Sequence, residues 1–309
     1  MFHEEMCKYI DKRMNNLIIS KFAPLSIAQE RRGSMGYSIF DETMVDMTWT
    51  EIEKAAKERA VVLLPIGVIE EHGPHMGLAV DIYCSYLSCK QTRGELEGKG
   101  INTLIAPPYY WGINTATGSF AGSFTVRKST MKAMIYDLLA SLMRWGFSNV
   151  FIMNWHGEQE HNVAILETVK EVRMDTGVRA YCILRTQDVK RFKLSGNEPH
   201  ILLLKDPPSE GASSKYLEIH ADSLETGIMA KYFPDQVNTD MAKGLKSTNL
   251  TMEDLIAWRQ GWSDARNVTP LGYFGDPASF NPEVARKVIE FTGKETADLI
   301  ESFLKRKDP

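Results

Sequence analysis

Cysteine is scarce in this chain of 309 residues: there are four, at positions 7, 84, 89 and 182, and no two form a CxxC pair. That spacing excludes a disulfide framework and a thiolate-held structural metal, and it fits reduced thiols in a cytoplasmic protein. A basic stripe is missing too. The formal net charge is −4 with 25% charged residues, so nucleic acid is not an expected partner. The N-terminal stretch carries charges where a signal peptide would be apolar. The longest strongly apolar run, residues 60–69, is far shorter than the roughly 20 residues of a membrane span. No membrane partner is expected. Several catalytic signatures are also absent. The glycines at 112, 118 and 122 spell no dinucleotide fingerprint, and there is no GxxxxGK loop, no HExxH and no GxSxG elbow.

What the chain does have is histidine in the company of carboxylates. Five of its seven histidines fall in three short clusters. The first is Glu70-Glu71-His72-Gly73-Pro74-His75, with Asp81 shortly after; the second runs from Asn154 through His156 and Glu158 to His161. The third is Glu218-Ile219-His220, followed by Asp222 and Glu225. Imidazole with carboxylate, and no thiolate, is ligand chemistry for borderline and hard divalent metals. Any one of these residues alone is better explained as a solvated loop group or a helix cap. His75 reads as a structural hydrogen-bonder, Glu160 and His161 as helix-start groups or support behind the ligands, and Asp222 as a cap. Recurrence after equivalent strands is what favours a metal site.

The strands follow from periodicity. Thr50 is the expected N-cap of a short helix, and residues 61–67 form a continuous apolar run typical of a buried parallel strand. Asp81 is expected to cap a helix to about Glu97. Strands follow at 102–106, 149–153 and 179–184, with helices from Ser129 to about Trp145 and from Gln159 to Asp175. A glycine- and serine-rich loop covers 109–125, an irregular insertion 186–215, and a final amphipathic helix 282–305. Alternating strands and helices predict an α/β fold with a parallel sheet covered on both faces. Ligands collect beyond the carboxyl ends of such strands, where the first two clusters lie. Residues 1–45 read as an N-terminal extension and 46–309 as one domain.

Leu64-Pro-Ile-Gly-Val-Ile-Glu70-Glu-His72-Gly-Pro-His75-Met-Gly-Leu-Ala-Val-Asp81 resembles the signature of the creatininase (creatinine amidohydrolase) family. So do Asn154-x-His156-Gly157, Phe120-Ala-Gly122-Ser123, the segment from His220 to Thr226, and Thr269-Pro270 through Pro277. The resemblance implies a three-layer α/β/α sandwich with a mainly parallel central sheet. It also implies a homo-oligomer, often a hexamer, and two divalent ions per subunit, Zn or Mn. Carried over by position, Glu70, Asp81 and His156 would hold one ion and His72, Asp81 and Glu158 the other, with Glu225 able to replace or supplement Glu158. His220 inherits a catalytic or substrate-orienting role, with Glu158 as second choice for proton transfer. Trp155 stands where the family commonly has glycine, which makes it a candidate substrate contact along with Gly122, Ser123, Tyr110 and Trp111.

The expected activity is attack by a metal-bridged hydroxide on a small cyclic amide or related carbonyl compound, the oxyanion resting against the metal and N–H groups of the 118–123 loop. A C–C hydrolase acting on a cyclic β-diketone, such as an oxidised inositol, would need the same ligands. A non-catalytic metal-stabilised binding protein is the rival from another class. A maturation-type peptidase of the same superfamily is weighed against by bulky Trp155 and the 186–215 insertion, which together suggest a roofed pocket.

Overall fold

The computed structural model describes residues 37–205 and 214–306. Most of the expected extension, residues 1–36, lies outside the described residues. The elements, in order, are α1 (Trp49–Lys57), β1 (Val61–Ile66), α2 (Val80–Gly98), β2 (Thr103–Ile105), α3 (Lys128–Arg144) and β3 (Asn149–Asn154). Then come α4 (Gln159–Thr176), β4 (Arg179–Arg185), α5 (Thr186–Arg191), β5 (Ile201–Leu204) and α6 (Ser223–Tyr232). Short helices α7 (Thr239–Gly244), α8 (Met252–Trp258) and α9 (Trp262–Val268) precede the long α10 (Pro282–Lys305).

Local chemistry accounts for the boundaries. Helix α1 is capped by Thr48 rather than Thr50. Glu51, three residues on, returns a carboxylate to the Thr48 N–H at 2.7 Å and completes a capping box, whereas Glu53, three residues after Thr50, pairs with Lys57 instead. Asn281 caps α10 through two backbone N–H groups, and Pro282 at the first helical position needs no partner for its missing N–H.

The sheet order is β2-β1-β3-β4-β5, every pairing parallel. Strand β1 is buried along its whole length, which explains its unbroken apolar run. Val62, Leu64 and Ile66 join Val150 and Ile152 beneath α3 and α4, packing against Met131, Ile135, Leu139, Ile165 and Val169. Val61 and Leu63 turn the other way, with Phe151 and Tyr181, against Leu96 of α2 and Ala297 and Ile300 of α10. Helices on both faces make the three-layer sandwich. The 186–215 insertion is not wholly irregular: it supplies α5 and an edge strand, β5, paired with β4. Its four residues lie close to Pro199 and only its end residues are buried, too short a pattern to show a period. No helix of the described residues is long and apolar enough to cross a membrane.

Strand order decides where the clusters go. From β1 the chain moves outward to β2, then returns past β1 to β3, so the connections part company between β1 and β3, where an open parallel sheet leaves a crevice. Ile66 is in register with Asn154, so the loops carrying the first two clusters leave the sheet side by side. Gly67 sets how closely the first loop approaches α2: a Cβ there would lie 2.8–2.9 Å from backbone atoms of Asp81 and Ile82. Gly67→Ala is therefore expected to destabilise the fold by about 1–3 kcal/mol in urea unfolding, because backbone cannot yield as a side-chain tip can. An unchanged midpoint would contradict this packing.

Candidate metal centre

Asp81 does not cap α2; Ala79 occupies the N-cap and Asp81 is the second helical residue. Its carboxylate is thereby released from capping, lies near the positive helix end and is almost fully buried. Asp81 Oδ2 lies 3.1 Å from His156 Nδ1, and Oδ1 lies 3.7 Å from His72 Nε2. Glu70 joins from the β1 loop, its Oε1 3.0 Å from His156 Nδ1. Glu225, in the first turn of α6, places Oε2 3.9 Å from His72 Nε2. Two sets of potential ligands result: Glu70, Asp81 and His156, and His72, Asp81 and Glu225, each with ligand atoms within 4.8 Å of one another. Asp81 belongs to both. A third set, Glu70, His72 and His220, overlaps them.

Orientation of the imidazoles supports cation binding. His72 Nδ1 bonds the Glu70 carbonyl, His156 Nε2 the Ile113 carbonyl and His220 Nε2 the Glu71 carbonyl. Each carbonyl accepts from the ring N–H, so the opposite nitrogen faces the centre, where a neutral ring offers a lone pair to a cation and a charged ring offers a proton, as in sites whose ligands are oriented from behind. Buried polar atoms normally find partners, yet His72 Nε2 and Asp81 Oδ2 make no hydrogen bond. Unmet lone pairs on an imidazole and a carboxylate, converging in one buried place, fit a divalent cation.

Glu158 departs from expectation. It is the N-cap residue of α4, and its Oε2 accepts from the Thr115 N–H at 2.6 Å and the Ala116 N–H at 3.3 Å. Anchored to that loop, it belongs to none of the three sets, and the set that contains His72 and Asp81 is completed by Glu225. Glu158 still lines the cavity of about 620 Å³ over the site, with Trp155, His220 and Trp258. Gly122, Ser123, Tyr110 and Trp111 do not line it. Ser123 Oγ accepts the Glu71 N–H at 3.0 Å, and the Ser123 N–H is used on the Phe120 carbonyl. Gly122 is backed by Leu78, and Trp111 packs against Phe124 and the core. The loop thus braces the first cluster from outside.

Residues that the sequence did not single out complete the site. Thr117 donates to Glu70 Oε2 at 2.5 Å. Trp258 lies 5.9 Å from the His220 ring, and Arg191 and Arg259 stand in the cavity wall. None belongs to a histidine cluster, and only chain folding brings them in. The third cluster is held by backbone: His220 and Phe274 form an antiparallel bridge, and Ala221 adopts φ 49°, a left-handed conformation costly for a residue with a Cβ. The Ala221 N–H reaches Glu225 Oε2 at 2.7 Å, which ties the strained residue to a candidate ligand.

Electrostatics divide the histidines. Burial opposes charge on all of them, but Glu70 and Asp81 outweigh it at His156 and raise its pKa well above the usual value. At His161 burial prevails, with His156 adding to it, and the ring stays neutral. Burial raises Glu225 to about 7, and it also raises Glu158 above the ordinary carboxylate range. His75 bonds Thr226 Oγ1 at 2.8 Å, the structural role expected of it.

Two measurements test these assignments. Asp81→Ala and His156→Ala should each lower the metal content found by elemental analysis, Asp81→Ala more strongly because both sets share it; full occupancy in either would exclude that residue. For His75, burial and then the nearby His72 and His220 depress the pKa from 6.5 to about 4. The unfolded chain takes up the proton first, so the stability this ring contributes above pH 6.5 is lost as pH falls towards about 4. His75→Gln should flatten that part of the pH–stability curve, and an identical slope would remove His75 as the cause.

The creatinine amidohydrolase family model matches residues 45–300. The chain is 28% identical over 207 residues to creatinine amidohydrolase of Pseudomonas putida, covering 63% of this chain and 73% of that one. It is 24% identical over 232 residues to the mycofactocin precursor peptide peptidase of Mycobacterium ulcerans, 74% of this chain and 79% of the relative. A crystal structure of creatinine amidohydrolase superposes with a TM-score of 0.64 at 19% identity, over 86% of this chain and 99% of that one, a likeness of fold. With its sequence matched over that span and the same fold built around two overlapping acid–imidazole sets, the chain belongs to the creatininase family of hydrolases.

Proposed function

We propose that the chain is a metal-dependent hydrolase of small carbonyl compounds, with Glu70, Asp81 and His156 holding one divalent ion and His72, Asp81 and Glu225 a second. The observation that carries this is the pair of buried ligand atoms that make no hydrogen bond, Asp81 Oδ2 and His72 Nε2, on the residue the two sets share and on its neighbour in the second. Solved creatininases include a manganese form and a Zn-Zn form, which supports zinc or manganese here. When bound, such ions supply Lewis acidity, polarising a carbonyl and acidifying water.

The chain's own residues do the rest. Glu158, steadied by the Thr115 and Ala116 N–H groups, presents a carboxyl to the cavity and takes a proton from the attacking water. His220 has its Nε2 committed to the Glu71 carbonyl and turns Nδ1 inward, 3.9 Å from Glu70 Oε1; although burial opposes charge, Glu70 and Glu71 raise its pKa to about 10, so the ring is an imidazolium whose Nδ1 proton goes to the leaving atom. Trp155 and Trp258 wall the cavity and suit a flat substrate. A cyclic amide is the first choice of substrate, since one solved creatininase holds creatine and the Pseudomonas relative acts on creatinine. The peptidase relatives favour a second reading, a short peptide, to which a cavity of about 620 Å³ gives room for only a few residues. A cyclic β-diketone would need no other ligands. A cytoplasmic homo-oligomer completes the proposal.

His220→Ala is expected to keep its metal while turnover falls by roughly 100-fold or more, and Glu158→Gln to behave likewise. The assay is a panel of lactams, formamides, cyclic diketones and short peptides run with elemental analysis of each variant. Metal loss in His220→Ala would make it a ligand rather than a proton carrier. Full turnover by metal-free protein would end the proposal.

A further inference from the structure

Two guanidinium groups in the cavity wall have no part in the chemistry above. Arg191 ends α5 and Arg259 follows α8, and both face the cavity that Glu70, Asp81 and His156 line. Arg191 is half-buried and donates to the carbonyl of Gly157, the residue after His156, while its guanidinium lies over the Phe192 ring. Arg259 is exposed. Among the described residues neither has a carboxylate within the 4.0 Å of an ion pair.

Their proximity is costly as it stands. Burial, and after it the charge of Arg259, depresses the pKa of Arg191. Asp188 and Glu158 act on Arg191 in the opposite sense, yet neither closes a salt bridge with it. Glu158 is held instead by the Thr115 and Ala116 N–H groups, and Asp188 by the Arg185 N–H. Two like charges sharing one wall are relieved when an anion settles between them. Guanidinium groups are suited to a carboxylate, which accepts two parallel N–H bonds from each planar fork.

We propose that Arg191 and Arg259 form a carboxylate subsite, so that the substrate is an anionic carbonyl compound whose carboxylate they hold while its carbonyl lies against Glu70, Asp81 and His156. The placing of the carbonyl rests on the hydrolase reading; the carboxylate subsite does not. A free small acid and the C-terminus of a short peptide share this chemistry. A neutral lactam such as creatinine lacks it, which sets this chain apart from its Pseudomonas relative in substrate class.

Binding is measured by calorimetric titration of the purified full chain, both metal-loaded and chelator-treated. In one arm the probes are dicarboxylates from malonate to adipate, each against its neutral diamide; in the other, acetyl-dialanine against its C-terminal amide. The acid of at least one pair is expected to bind about tenfold tighter than its amide, and that preference to vanish in Arg191→Gln and in Arg259→Gln. The arm that shows it names the source of the carboxylate. The preference should survive chelation, because the guanidinium groups and not the ions create it. A preference that disappears with the metal, or persists in both variants, would place the anion elsewhere and overturn the proposal, as would equal binding of every acid and amide. Failure of the hydrolase reading looks different: the protein would hold no metal and cleave nothing, while the arginine-dependent preference remained.

Discussion

Asp81 is the constraint on which the rest of the site depends. A carboxylate almost sealed from water is tolerable only where positive charge meets it, and here the imidazoles of His72 and His156 lower its pKa well below normal despite burial. Those two imidazoles come from different loops, and both must arrive for Asp81 to remain ionised. The loops arrive because β1 and β3 are parallel neighbours ending in register, and because Gly67 lets the chain leave β1 within contact distance of α2. Fold and charge are therefore interdependent: the sheet order brings the acids together, and their burial makes a cation or a proton the natural partner.

Around this shared centre the cavity differs from what the family likeness alone suggests. Trp155 and Trp258 supply aromatic wall, and Arg191 and Arg259 supply positive charge from elements outside the first two sheet loops. A creatinine amidohydrolase and a precursor peptide peptidase each match well over half of this chain. Arg191 of α5, Trp258 of α8 and Arg259 after it line the cavity without belonging to any of the acid–imidazole sets.

Much of the centre was legible in the sequence because it is local. Glu70, His72 and Asp81 occupy one strand-to-helix loop and His156 another, and unbroken apolar runs announced β1 and β3 as buried parallel strands. Glu158 has a spacing from His156 that suits a ligand, while its capping position ties its carboxylate to the Thr115 N–H, a contact that spacing does not reveal. Glu225 was harder to rank, because an acid in the first turn of a helix has an ordinary explanation in the helix dipole. Arg191, Arg259, Thr117 and Trp258 were illegible for a different reason: each reaches the cavity through tertiary packing, and a lone arginine or tryptophan carries no periodic signal. Strand β5 escaped notice because an edge strand of four residues, buried only at its ends, shows neither alternation nor an apolar run.

Ala221 holds a left-handed backbone in a wholly buried position, between His220 and the turn that delivers Glu225. Glycine would adopt that geometry without torsional penalty, but it would also give the hinge freedom to drift. Alanine there leaves the backbone fewer alternatives, between an imidazole bonded to the Glu71 carbonyl and a carboxylate bonded to the Ala221 N–H, at some expense to the resting fold. At this one residue, robustness of the chain and precise placement of His220 and Glu225 pull in opposite directions.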